Sequence, residues 1–176
     1  MNITINIYTD GSSRGNPGPG GFGVVQVSTV WRETLTEYIE SKSVSYMYSE
    51  QCENTTNNRE EMKAILHVFE IAANDPENQY IIYSDSAYCV NMINDWIWSW
   101  AKNNWKNSKK KEVENLDLVL QLYKYISKDF FNCQVIKTKG HCGIVENELA
   151  DALATQNISK FEKVCKLNNI LYNKVV

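Results

Sequence analysis

Residues 3–7 alternate, with Ile3, Ile5 and Ile7 separated by Thr4 and Asn6. That two-residue period predicts a strand. It runs into Thr9–Asp10 and meets a turn-rich stretch, 11–21, which holds five of the eight glycines and two of the three prolines. Further strands are expected at about 22–29 and 31–40, and the polar residues 41–54 read as another strand or a loop. The run 54–58 is rich in helix-cap residues. Beyond it, Glu61, Ile65, Val68 and Ala72 fall at i, i+4, i+7 and i+11, one stripe of a helix over 58–74. Asp75–Pro76 ends that helix. The apolar run 80–83 has the character of a fully buried parallel strand. Helices follow at 86–100 and about 115–128, a strand at 132–138 and a helix at about 146–158. Residues 159–176 read as a short helix or a tail. This order is mixed α/β, with helices crossing over between parallel strands.

Length and composition fit that picture. The 176 residues are 43% hydrophobic and 22% charged, the balance of one folded domain, here residues 1–158 plus the terminal segment. No apolar run reaches the roughly 18–20 residues of a membrane span, and the first residues do not read as a signal peptide. Five cysteines without C-x-x-C spacing argue against a zinc cluster or a disulfide framework and for reduced thiols in a cytoplasmic protein. The net charge of −3 argues mildly against a nucleic-acid partner.

One segment opposes that charge argument. Trp96, Trp98, Trp100 and Trp105 overlap Lys102, Lys106, Lys109, Lys110 and Lys111, and no acid occurs from 97 to 111. Basic residues interleaved with aromatics fit a nucleic-acid groove. The alternative is a solvated basic loop whose tryptophans, Trp96 and Trp100 above all, pack into the core.

Four carboxylates stand where such a fold places active sites. Asp10 lies near a strand end, and Asp85 follows the 80–83 strand at the carboxyl end favoured for ligands. Glu61 is the polar member heading an apolar helix stripe, and Asp151 lies early in the last helix. Each has a plainer reading taken singly. Asp10 suits a turn before Gly11, Glu61 a capping box begun by Asn58, Asp85–Ser86 a helix N-cap, and Asp151 a solvated helix surface. If the four converge, their repulsion calls for protonation or cations, and hard oxygen donors favour Mg²⁺ or Mn²⁺.

Four motifs occur in order: YTDGSSRGNPGPGGFG at 8–23, TTNNREEM at 55–62, YSDS at 83–86, and KGHCG at 139–143 with ENELAD at 146–151. Together, over about residues 3–158, they closely resemble type 1 ribonuclease H of the bacterial kind with a basic protrusion. The resemblance implies a five-stranded mixed sheet, its first three strands antiparallel, with helices on both faces. It also implies endonucleolytic hydrolysis of the RNA strand of RNA–DNA hybrids by two Mg²⁺ ions, with Mn²⁺ as a substitute, leaving 5′-phosphate and 3′-hydroxyl ends. The expected protein is a monomer whose partner is the hybrid duplex.

Carried over by position, Asp10 bridges both metals. Asp151 joins it on the water-activating side, and Glu61 and Asp85 hold the leaving-group side. His141 assists the water or product release, and Glu148 modulates the site. Gly11, Ser12, Ser13, Gly15, Asn16, Asn57 and Asn58 meet the RNA strand, whose 2′-hydroxyl distinguishes it from DNA. Thr56 and Asn115 fit a DNA-phosphate pocket, and the protrusion at about 96–112 grips the DNA strand through Trp96, Trp100, Lys102, Trp105, Lys106, Lys109, Lys110 and Lys111. Two positions depart from the family pattern: Asn54 stands where relatives commonly have Arg, and Ala87 where they often have Gln. A catalytically silent nucleic-acid-binding module and a two-metal DNA nuclease on the same fold are the alternatives. The complete acid set argues against the first, and the loop motifs that read the 2′-hydroxyl argue against the second.

Overall fold

A computed structural model describes residues 2–33, 37–140 and 143–173. Strand β1 (Thr4–Ser13) pairs antiparallel with β2 (Gly18–Glu33), which pairs antiparallel with β3 (Tyr38–Thr55). On its other side β1 pairs parallel with β4 (Gln79–Ser84), and β4 parallel with β5 (Cys133–Lys137). A short β6 (Ile170–Leu171) adds parallel to β3, giving the order β5-β4-β1-β2-β3-β6. The helices are α1 (Asn57–Ala73), α2 (Ala87–Asn91), α3 (Ile97–Lys102), α4 (Leu116–Ile126), α5 (Val145–Ala154) and α6 (Ile158–Leu167).

The mixed α/β class and the antiparallel first three strands stand as expected. The sheet has six strands rather than five, because the terminal segment forms α6 and then returns as β6. Two further boundaries differ. The expected strand at 31–40 is the far end of the β2–β3 hairpin, and 41–54 belongs to β3. The expected helix at 86–100 is divided by a π-helical turn at Met92–Trp96 between α2 and α3. Strand β1 also runs beyond Asp10 to Ser13, since Gly11, Ser12 and Ser13 pair with Phe22, Gly21 and Gly20.

The sheet divides two cores. On one face, Ile7, Phe22, Val24 and Ile82 pack with Met62, Ile65, Val68 and Phe69 of α1 and Val119 and Leu122 of α4. On the other, Val25 packs with Leu149, Ala150 and Leu153 of α5 and Phe161, Val164 and Cys165 of α6. Alternation along β1 assigns Ile7 to the first core and Tyr8, stacked on Tyr83, to the second. Such a split is what the pleat dictates for a sheet covered on both sides.

Helix α5 lies close against β2 at Gly23, where a Cβ would collide with the Ala150 carbonyl and the Leu153 side chain. A methyl group there forces the helix off the sheet. Overpacking of this kind costs roughly 1–3 kcal/mol. Gly23→Ala is therefore expected to lower the melting temperature by about 3–10 °C in a thermal melt followed by circular dichroism.

Candidate active site

The site forms where β1 and β4 run side by side in parallel. Their register sets Thr9 against Ser84, so Asp10 and Asp85 follow as neighbours. Asp10 is 7% exposed, held in the strand by its pairing with Gly23. Asp85 comes directly after β4, and Ser86 caps α2 by accepting from the Cys89 N–H at 3.2 Å. The N-cap belongs to Ser86, which leaves the Asp85 carboxylate free of that duty.

Glu61 enters from α1. The helix N-cap is Thr56, whose hydroxyl accepts from the Arg59 N–H, so Asn58 and Glu61 form no capping box. Glu61 is instead 3% exposed and turned inward. Helix α1 comes this close because Gly11 has no side chain: a Cβ there would strike the Glu61 and Glu60 backbone. Asp10, Glu61 and Asp85 each place a carboxylate oxygen within 4.8 Å of the others. Asp151 stands beside this trio on α5, near enough for its charge to act on Asp10, and is ion-paired with Lys160 of α6.

The electrostatic consequence follows from burial. Desolvation first, then the charges of Asp85 and Asp151, push the Asp10 carboxyl up to about 8. Desolvation, Asp10 and Asp85 likewise raise Glu61 well above the ordinary carboxylate range, against hydrogen bonds from the Gly11 backbone and the Ser84 hydroxyl. Glu61 Oε2 is buried without a partner. An orphaned acceptor in a cluster made of carboxylate oxygens, with no His or Cys in it among the described residues, fits a divalent cation such as Mg²⁺ or Mn²⁺.

Two residues escaped the sequence reading. Asn147 of α5 is 2% exposed, approaches Asp85 Oδ2 at 3.5 Å through Nδ2, and leaves Oδ1 unpartnered. Its signal was available as a polar side chain four residues before Asp151 on an otherwise apolar helix face. Lys160 had no such signal, because it belongs to the segment read as a helix or tail.

The remaining candidates are placed as follows. Gly11, Ser12 and Ser13 lie in β1, and the Ser13 hydroxyl donates to the Gly15 carbonyl at 2.7 Å. Gly15 takes a φ of 107° in the turn before β2, and Asn16 beside it is exposed. Asn57 and Asn58 open α1. Asn115 precedes α4 and accepts from Arg59, whose guanidinium also makes a bidentate pair with Asp117. Glu148 is half-buried on α5. His141 lies outside the described residues. The segment leading to it is pinned by Thr138 N–H on the Ser84 carbonyl, and Gly140 sits against Asp85.

In the basic segment, Trp100 and Trp105 pack against the core while Trp96 remains 38% exposed. Core packing thus accounts for Trp100 and Trp105 but only in part for Trp96, which lies against Trp100 and Tyr88. Lys102, Lys106, Lys109, Lys110 and Lys111 are all exposed, and none pairs with an acid among the described residues.

The RNase H family model matches residues 2–159. The chain is 41% identical over 154 residues to a Ribonuclease HI of Pasteurella multocida, covering 88% of this chain and 89% of that one. It is 38% identical over 157 residues to a Ribonuclease H of Caldicellulosiruptor saccharolyticus, covering 89% and 97%. Among solved structures it is similar to a type 1 RNase H with the type 2 active-site motif, at 25% identity and a TM-score of 0.65 over 90% of this chain and 74% of that one. It is also similar to the RNase H domain of PFV, at 26% identity and a TM-score of 0.67 over 86% and 92%. Sequence, sheet topology and clustered acids agree: the chain belongs to the ribonuclease H family, the endonucleases that cleave RNA in RNA–DNA hybrids.

Proposed function

We propose that Asp10, Glu61, Asp85 and Asp151 carry this hydrolysis with two Mg²⁺ ions, leaving 5′-phosphate and 3′-hydroxyl ends. The supporting observation is the meeting of three carboxylate oxygens within 4.8 Å around an unpartnered Glu61 Oε2. Bound divalent cations supply charge neutralisation at the phosphate, a more acidic water and stabilisation of the departing 3′ oxygen.

The chain's own residues do the rest. Asp10, fixed in the sheet, faces both Asp85 and Asp151 and so links the two halves of the acid set. Asn147 holds Asp85 in place. His141, the residue after Gly140 in the sequence, handles a proton or the leaving product, and Glu148 modulates the site. The turn containing Gly15 and Asn16, with Ser12, Asn57 and Asn58, approaches the RNA strand and reads its 2′-hydroxyl. Ser13 contributes by shape, since its hydroxyl is engaged with Gly15.

The DNA strand lies along the exposed lysines and Trp96, which act through charge and stacking without sequence preference. Thr56 and Asn115 border a phosphate contact, with Arg59 fixed between them and Asp117. The catalytic domain spans 1–158 and acts as a cytoplasmic monomer.

Three outcomes test this reading. With Mg²⁺, wild type cuts the RNA of a labelled hybrid and leaves duplex DNA intact. Asp10→Asn loses cleavage by on the order of 10³-fold or more while its hybrid affinity, measured by fluorescence anisotropy, stays within a few-fold. Equal cleavage by both proteins would refute the assignment.

Replacing Lys109, Lys110 and Lys111 by Ala weakens hybrid binding and reduces the slope of log affinity against log salt by up to about 3. An unchanged slope would return these lysines to a solvated loop.

The folded protein binds the Asp10 proton more tightly than the unfolded chain does. Its contribution to cation-free stability is therefore present at low pH and lost as pH rises from about 4 to about 8. Thermal melts in chelator should show a declining melting temperature across that window. Asp10→Asn flattens the decline and melts about 3–8 °C above wild type at pH 8.

A further inference from the structure

Asp10, Glu61 and Asp85 converge, and the fourth acid beside them carries a lysine of its own. Asp151 Oδ2 is bound by the Lys160 ammonium, a residue one position beyond the span of the family match. Several contacts fix where this lysine stands. Asn157 caps α6 by accepting from the Lys160 N–H at 3.0 Å. The Asn157 N–H donates to the Ala152 carbonyl at 2.8 Å, fastening the start of α6 to the last turn of α5. The adjacent Phe161 is 1% exposed, packed in the core that α5 and α6 share. Lys160 is thus built onto the acid site, with its side chain one-third exposed. Its charge reaches Asp10 as well.

We propose that Lys160 is an internal counter-ion for Asp151, which neutralises the fourth acid in the cation-free protein and opposes divalent cation binding on that side of the site. The inference rests on the proposed metal-binding role of the four carboxylates. Asp10, Glu61 and Asp85 present a ready set of oxygens, whereas the Asp151 side becomes available to a cation only as Lys160 gives way. Lys160 is a positioning residue acting through Asp151. Repulsion between a lysine and a divalent cation a few ångströms apart, screened by the solvent that reaches this one-third-exposed side chain, changes an affinity by about tenfold or more, so cation occupancy at Asp151 is set partly by the terminal helix.

Mn²⁺ is titrated calorimetrically into the full chain without nucleic acid, and thermal melts are recorded with and without the cation. The variants are Lys160→Met and Lys160→Arg, with Asp10→Asn as control. Lys160→Met is expected to bind Mn²⁺ about tenfold more tightly, to melt lower than wild type in chelator, and to gain more on cation addition. Lys160→Arg restores wild-type behaviour in each measurement. A lysine with a merely structural role lowers both melting temperatures alike and leaves the affinity unchanged. That result, with Mn²⁺ binding still weakened by Asp10→Asn, would overturn the counter-ion role alone. Binding indifferent to Asp10→Asn, or absent throughout, would overturn the metal-site reading and the Lys160 inference with it.

Discussion

Everything around the site answers to one constraint: carboxylates crowded together and withdrawn from water. Such a group resists folding, because desolvation and mutual repulsion both oppose its charge. The chain holds it by placing the acids on the stiffest part of the molecule. Asp10 is inside a strand with a neighbour on either side, and Asp85 directly follows the strand paired to it in parallel. Glu61 lies on a helix whose following turns fill the core with Ile65, Val68 and Phe69. Hydrophobic burial in two cores supplies the favourable free energy that the acids consume. Gly11 and Gly23 are where backbones must come close enough for this to work, and a Cβ at either would separate the helices from the sheet.

Much of this was legible in the residues, for identifiable reasons. The alternation from Ile3 to Ile7 and the stripe from Glu61 to Ala72 follow the periods that burial imposes. Glu61 was ambiguous because a glutamate three residues after Asn58 satisfies a capping pattern as well as an inward stripe. Only the position of the true cap, Thr56, separates the two. The end of strand β1 is hidden in the sequence, because Ser12 and Ser13 pair with Gly21 and Gly20, and glycines announce turns more readily than ladders. The break at Met92–Trp96 left no mark, since a π-helical turn preserves helical composition while shifting its phase. Strand β6 is two residues long and depends on its partner in β3, which no local pattern reveals.

The net charge of −3 now resolves into parts with different roles. Residues 101–111 carry five of the 18 basic groups and no acid, leaving thirteen against 21 acids elsewhere. Some of those thirteen are already committed within the fold: Arg59 to Asp117, Lys63 to Glu60 and Lys160 to Asp151. The lysines from 102 to 111 are exposed and pair with no acid among the described residues, so their charge is available to phosphates. Lys160 is directed inward, where it offsets one member of the acid group and leaves the rest of the deficit to cations. The two sets of positive charge therefore act at different stages. In the proposed function the first set draws a polyanion to the surface, and in the inference drawn from Lys160 the second regulates how strongly the interior demands metal. A bulk charge near zero is the sum of these opposed local fields, which is why it pointed away from the polyanion that this family cleaves.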